Sequence, residues 1–300
     1  MAAKKVDRLH VVDGTYELFR AFYGRGPDRT TAEGRPFKAV AGVVGSVLAL
    51  LRDEAEAVTH LAVAFDRPIE SFRNELFEGY KTGEGMDPEL VEQMEPAEEA
   101  LAALGVTVWP MDEWEADDAL ATAAARFAGE VGEVRLMTPD KDLGQCLVEG
   151  RVVQVDRMRE KVIDVAALRE RRGIAPASLP DWLALVGDSA DGIPGLPGFG
   201  EKTVSRLLAR FETLEAIPDD PAAWPEGLRG APRLAGVLAR QREEALLYRR
   251  LATLATDVPL RETLDDLRWR GAPRQRWEAY CESVGMPRWK TRPPRFDDED

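Results

Sequence analysis

Three short apolar runs, residues 9–12, 61–65 and 134–137, each lead into an aspartate: Asp13, Asp66 and Asp140. Longer helical patterns flank each run. This order predicts an α/β fold with buried strands in a parallel sheet and helices on its faces. Helices are expected at 37–52, 88–104, 116–127 and 142–147. The strands of a parallel sheet place their C-terminal ends side by side, where open α/β sheets bind ligands. The three aspartates are thus expected to converge in space.

More acids fall near those ends. Asp142 follows Asp140 in the same turn, and Glu115, Asp117 and Asp118 open the helix at 116–127. Glu115 and Asp118 are three apart and can share a face. Taken singly, each is accounted for by helix capping or the macrodipole, and Asp13 before Gly14 by a turn. Seven carboxylates at one edge would repel, and such a cluster raises pKa values or binds cations. Oxygen ligands without cysteine or clustered histidine select Mg²⁺ or Mn²⁺. His10 and His60 sit on or beside expected strands and read as core or strand-edge residues. Two such ions can hold a scissile phosphate, activate water and stabilise a leaving oxygen. No G-x-S-x-G nucleophile elbow is present.

From about residue 174 the pattern changes to a mostly helical module. A helix at 181–186 leads into a run rich in Gly and Pro, 187–200, and a second helix follows at 202–211. A Walker A loop fails here, because Glu201 stands where lysine is required. A dinucleotide fingerprint fails because the run follows a helix. A helix, tight hairpin and helix remain, with glycines that let backbone approach a phosphate and free N–H groups at the next helix. Such a hairpin holds a nucleic-acid backbone without reading bases. Asp188 and Asp191 lie just upstream of it.

The formal charge of −14 argues at first against a nucleic-acid partner. Its distribution matters more than its sum. Setting aside the nine acids named above and the four that end the chain leaves the rest near neutrality. Eight basic residues between Arg268 and Arg295 could form a patch, but they read better as an ordinary solvated surface. Two isolated cysteines, Cys146 and Cys281, argue against a disulfide framework and a structural zinc site. No run has the length of a membrane span, and no export signal is legible, so a cytoplasmic protein is expected. Residues 72–87, with three glycines and both charges, read as a mobile lid or arch, or else as a plain surface loop. Residues 291–300, Pro-rich and then acidic, are expected to be disordered.

Several motifs in this order resemble the 5′ nuclease, or flap endonuclease, family, and in particular the 5′→3′ exonuclease domain at the start of bacterial DNA polymerase I. They are Val12-Asp13-Gly14 with Phe19-Arg20, Ala64-Phe65-Asp66, Phe72-Arg73, Tyr80-Lys81, Glu115-Ala116-Asp117-Asp118, Thr138-Pro139-Asp140-Lys141-Asp142 and the run from Gly187 to Thr203. The resemblance covers about residues 9–265. No polymerase domain follows, so a free-standing member is expected.

The resemblance implies a PIN-like nuclease core at 1–173 with an arch at about 72–87. It implies a helix-hairpin-helix module at 174–270 and leaves 271–300 as an extension. It implies that Asp13, Asp66, Glu115, Asp117, Asp118, Asp140 and Asp142 bind one Mg²⁺ or Mn²⁺ ion. They would share a second ion with Asp188 and Asp191. Arg20 and Lys81 would contact the scissile phosphate. Arg73 and Tyr80, with Gly195, Gly198, Gly200, Lys202 and Thr203 of the hairpin, would bind DNA, assisted by a K⁺ ion. The implied partner is DNA with 5′ flaps, nicks or single-strand/duplex junctions; the oligomeric state is left open, with a monomer favoured. The implied products carry a 5′ phosphate and a 3′ hydroxyl. This chain departs from the pattern at Glu84, where arginine is frequent, at Gly192 and at Ala41. A PIN-like ribonuclease and a non-catalytic flap-binding protein are the competing readings.

Overall fold

The computed structural model describes residues 7–299. Asp300, one of the four terminal acids set aside in the charge argument, lies outside them. In chain order the elements begin with β1 (Arg8–Asp13), α1 (Gly14–Tyr23), α2 (Lys38–Arg52), β2 (His60–Asp66), α3 (Phe72–Leu76) and α4 (Pro88–Val91). Next come α5 (Met94–Ala103), β3 (Thr107–Met111), α6 (Ala116–Phe127), β4 (Glu133–Met137), β5 (Val152–Asp156) and β6 (Lys161–Ile163). The rest are α7 (Val165–Arg172), α8 (Leu179–Val186), α9 (Glu201–Phe211), α10 (Ala231–Arg240), α11 (Arg242–Ala252) and α12 (Arg274–Ser283). The chain forms two compact units. The first takes the chain through Ile69, Gly83–Thr138 and the part from Thr256 on; the second takes Glu70–Thr82 and Pro139–Ala255.

In the first unit β3, β2, β1 and β4 pair in that order, all parallel. Val12 pairs with Val63 and with Met137, so the three expected strands lie side by side in register. Leu9, Val11, Val63 and Phe65 are almost wholly buried, as strands covered on both faces require. Each such side chain contributes roughly 1.5–3 kcal/mol of burial. His10 and His60 are buried on strands, as core residues. β3 escaped the sequence pattern because it is short and carries Pro110, which an edge position tolerates. The single helix expected at 88–104 is two, α4 and α5. At the break the buried Gln93 side chain accepts from Ala39 N–H at 2.8 Å and donates to the Glu89 carbonyl at 2.9 Å.

The C-terminal residues are not disordered up to the last described one. Trp277 stacks on Trp289 at 6.2 Å between centroids and 7° between planes, and Trp289 lies 5.8 Å from Phe37. Phe296 is buried, and Arg274 pairs with Asp298 and Glu299 at 2.7 Å each. Aromatic burial outweighs the polar composition that suggested disorder. Much of the basic stretch is neutralised as well: Arg268 pairs with Asp7, Arg270 with Asp265 and Lys290 with Glu282.

In the second unit β5 and β6 form an antiparallel pair and the rest is helical. The helix expected at 142–147 is a 3-10 turn, Lys141–Cys146, capped by Asp140. Trp182, Leu183, Leu196, Phe199, Leu207 and Leu238 belong to its apolar core. No helix among the described residues is long and apolar enough to cross a membrane.

Candidate functional site

The acids of the first unit occupy the C-terminal ends of β1 and β2 and the start of α6. Asp13 ends β1 and caps α1, accepting from Tyr16 N–H at 2.8 Å; its other oxygen accepts from Thr138 Oγ1 at 3.0 Å. Asp66 ends β2, and its Oδ1 accepts from Ala116 N–H at 2.7 Å, which ties it to the first turn of α6. Glu115 and Asp118 form a reciprocal capping box at that turn, with Glu115 N–H donating to Asp118 Oδ2 at 3.0 Å. Both are buried, and Asp117 between them is half-buried. Capping therefore explains part of each position, at about 1 kcal/mol per cap. Arg20 on α1 is held by the buried carboxylate of Glu17, one turn away.

The acids of the second unit lie on two turns. Asp140 Oδ1 accepts from Asp142 N–H at 2.8 Å. Asp142, Asp188 and Asp191 each present a carboxylate oxygen, and these oxygens all lie within 4.8 Å of one another. Asp142 is buried, and its Oδ1 has no hydrogen-bond partner among the described residues. Burial, then the charges of Asp140 and Asp191, raise its pKa well above the ordinary carboxylate value. Two lysines offset this crowding: Lys141 sits on Asp188, and Lys81 pairs with Asp191 at 3.0 Å. Three clustered carboxylates with an orphaned buried oxygen fit a hard divalent cation.

The hairpin has the expected form. Asp188 and Ile193 exchange backbone hydrogen bonds at 2.8 Å, and Gly200 opens α9. Gly195 has φ +68°, and a Cβ there would crowd the Val186 backbone, so only glycine closes this turn. Gly198 and Gly200 line an open hollow on the hairpin, Lys202 is exposed and Thr203 half-buried.

Two residues expected to touch DNA do not present their polar groups to solvent. Arg73 is fully buried; its Nε donates to the Leu251 carbonyl at 2.8 Å and its Nη2 to the Thr253 carbonyl at 3.1 Å. Tyr80 is buried in the apolar core of the second unit. Both fasten residues 70–82 to their own unit, because a buried guanidinium must satisfy its donors internally. Of the expected arch at 72–87, residues 72–82 are packed within the second unit, and 83–87 belong to the first. Sequence reasoning did not single out Glu17, Thr138 or Gln154. Gln154 donates its amide to the Asp140 carbonyl. Thr138 and Lys141 lie inside a motif that was noticed, whereas Glu17 and Gln154 carry no sequence signal.

A parallel sheet with carboxylates at its strand ends and a helical unit with a Gly-rich hairpin define an acid-site nuclease. Family models described as "5′-3′ exonuclease, N-terminal resolvase-like domain" and "5′-3′ exonuclease, C-terminal SAM fold" match residues 8–173 and 174–275. The chain belongs to this 5′-3′ exonuclease family. It is 37% identical over 276 residues to DNA polymerase I of Pseudomonas aeruginosa, covering 89% of this chain and 29% of the polymerase. It is 34% identical over 285 residues to DNA polymerase I of Bacillus caldotenax, covering 93% and 31%. The chain thus spans less than a third of the length of these relatives. Its fold is similar to that of a bacteriophage T5 flap endonuclease solved with DNA and metal ions. That match has a TM-score of 0.67 and 20% identity, and covers 83% of this chain and 90% of the phage enzyme.

Proposed function

We propose that the chain is a structure-specific 5′→3′ exonuclease and 5′-flap endonuclease that hydrolyses DNA phosphodiester bonds with Mg²⁺ or Mn²⁺. The observation that carries this reading is the triad of Asp142, Asp188 and Asp191, with its orphaned buried oxygen. Asp13, Asp66, Glu115, Asp117 and Asp118 of the first unit, and Asp140, Asp142, Asp188 and Asp191 of the second, are the proposed metal ligands. Divalent ions there would supply a nucleophilic water and stabilise the leaving oxygen. Arg20, oriented by Glu17, and Lys81, tethered by Asp191, would stabilise charge developing on the scissile phosphate. The hairpin glycines, Lys202 and Thr203 would hold duplex phosphates, with K⁺ as an aid. DNA bearing 5′ flaps, nicks or single-strand/duplex junctions is the proposed substrate.

The test is cleavage of nicked, gapped, flap and pseudo-Y DNA in Mg²⁺ and in Mn²⁺, beside single-stranded RNA. Cutting confined to 5′ ends and junctions of DNA is expected. Preferential cutting of RNA would point to a ribonuclease, and flap binding without cutting in any divalent ion to a non-catalytic binder.

A further inference from the structure

A small hollow in the second unit is lined by four cations, Lys141, Lys161, Arg171 and Arg172, together with Gln154. No acid is among the residues that line it. Its volume is about 40 Å³, where a single water needs roughly 10–15 Å³ on the same measure. The cations come from three places: the 3-10 turn at Lys141–Cys146, β6, and the end of α7. Arg171 and Arg172 close a helix, where the macrodipole favours positive charge. That accounts for their presence on α7 but not for two lysines of other elements at the same hollow.

Arg172 is the most informative of the four. Its guanidinium carbon lies 4.3 Å above the Trp182 ring, which fixes the group in place. Its Nη1 is buried and has no hydrogen-bond partner among the described residues. Burial and the neighbouring Arg171 lower its pKa, and the more distant charges of Asp142, Glu201 and Asp188 offset this only in part. Lys141 connects the hollow to the acidic triad: it pairs with Asp188 and lies 3.8 Å from Asp142.

We propose that this hollow is an oxyanion site that takes a phosphate group beside the acidic triad. Two sources share that chemistry, a phosphate of the bound DNA strand and free orthophosphate. The first source rests on the nuclease reading; the second does not. Guanidinium and ammonium groups that converge from three elements on one hollow match the charge and donor chemistry that phosphate oxygens accept.

The experiment uses the full chain with Arg172→Gln and, separately, Lys161→Gln; neither residue belongs to the proposed catalytic set. Orthophosphate is titrated in EDTA and followed by ³¹P line broadening. Saturable binding to the wild type is expected, weakened at least about threefold in each variant. In parallel, binding of 5′-flap DNA in Ca²⁺ is measured across salt. Loss of one duplex phosphate contact lowers the slope of log affinity against log salt by about 0.9. Weaker orthophosphate binding with a shallower slope identifies the strand phosphate; weaker binding with an unchanged slope identifies free orthophosphate. Lys161 is exposed, so its variant guards against a packing effect of Arg172→Gln on Trp182. No saturable binding by the wild type, or variants equal to it in both arms, overturns the site. Failure of the wild type to bind flap DNA would refute the nuclease reading alone, because the orthophosphate arm still judges the hollow.

Discussion

Lys81 and Asp191 are joined twice: Lys81 Nζ pairs with Asp191 Oδ1 at 3.0 Å, and Lys81 N–H donates to the Asp191 carbonyl at 3.1 Å. A catalytic candidate from residues 70–82 is thereby anchored to the turn that carries two metal-ligand candidates. Asn74 reinforces the anchor, donating its amide to the Lys81 carbonyl at 2.9 Å.

Gly192 stands at the closest approach of these segments. It has φ +74°, and a Cβ there would overlap the Gly79 carbonyl oxygen. Gly192→Ala should cost at least ~1–2 kcal/mol from the left-handed backbone alone. It should also expose residues 77–81 to limited proteolysis. Unchanged stability and an unchanged cleavage map would mean that the contact does not hold the segment.

Asp142→Asn tests whether the triad is strained for the sake of cation binding. Mn²⁺ affinity, followed by titration calorimetry, should fall by more than the roughly 10–100-fold cost of an outer-sphere loss. The metal-free protein should meanwhile melt at a higher temperature, because a buried carboxylate crowded by Asp140 and Asp191 has been neutralised. A lower melting temperature with unaltered Mn²⁺ affinity would assign Asp142 a structural role only.

Acid should destabilise the first unit through one buried network. Glu56 accepts from His10 Nε2 at 2.9 Å and pairs with Arg135 at 2.7 Å; the His10 hydrogen bond, ahead of Arg135, holds its pKa down at about 2. Burial lowers the pKa of His10. Both folded values lie below the unfolded ones, so the unfolded chain binds more protons as pH falls. Stability should decline below about pH 6.5 through His10 and further below about 4.5 through Glu56. Glu56→Gln should flatten the lower limb in melting curves taken from pH 3 to 8. An identical limb in that variant would remove Glu56 from the account.

Trp289 is expected to lock the C-terminal residues onto the first unit. Trp289→Ala removes its stacks on Trp277 and Phe37 and should cost about 3–5 kcal/mol in urea denaturation. A loss below about 1 kcal/mol would show that the stack contributes little.

Much of the sheet was legible because β1, β2 and β4 are mostly apolar runs that end near aspartates. The helix at Ala116–Phe127 was legible to the residue. β3 was not, since Pro110 breaks the strand pattern, and neither were β5, β6 and α7, whose short polar-flanked runs carry little periodicity. The carboxylates of the first unit were visible because each sits at a strand end or helix start. The interior role of Arg73 was invisible, because an arginine that bonds to carbonyls nearly 180 residues away looks in sequence like any surface cation. The order of the C-terminal residues was hidden for the opposite reason: Trp277, Trp289 and Phe296 outweigh a composition that reads as disorder.

The central claim is that these acids hold divalent ions that cut DNA at 5′ structures. Single-turnover cleavage of a 5′-flap substrate in Mg²⁺, for the wild type and Asp188→Asn, tests it most directly. The wild type should cut near the junction to leave a 5′ phosphate and a 3′ hydroxyl, and EDTA should abolish cutting. Asp188→Asn should be slower by at least about a hundredfold while still binding the flap. Cleavage that persists in EDTA, or at the wild-type rate in Asp188→Asn, would contradict the account.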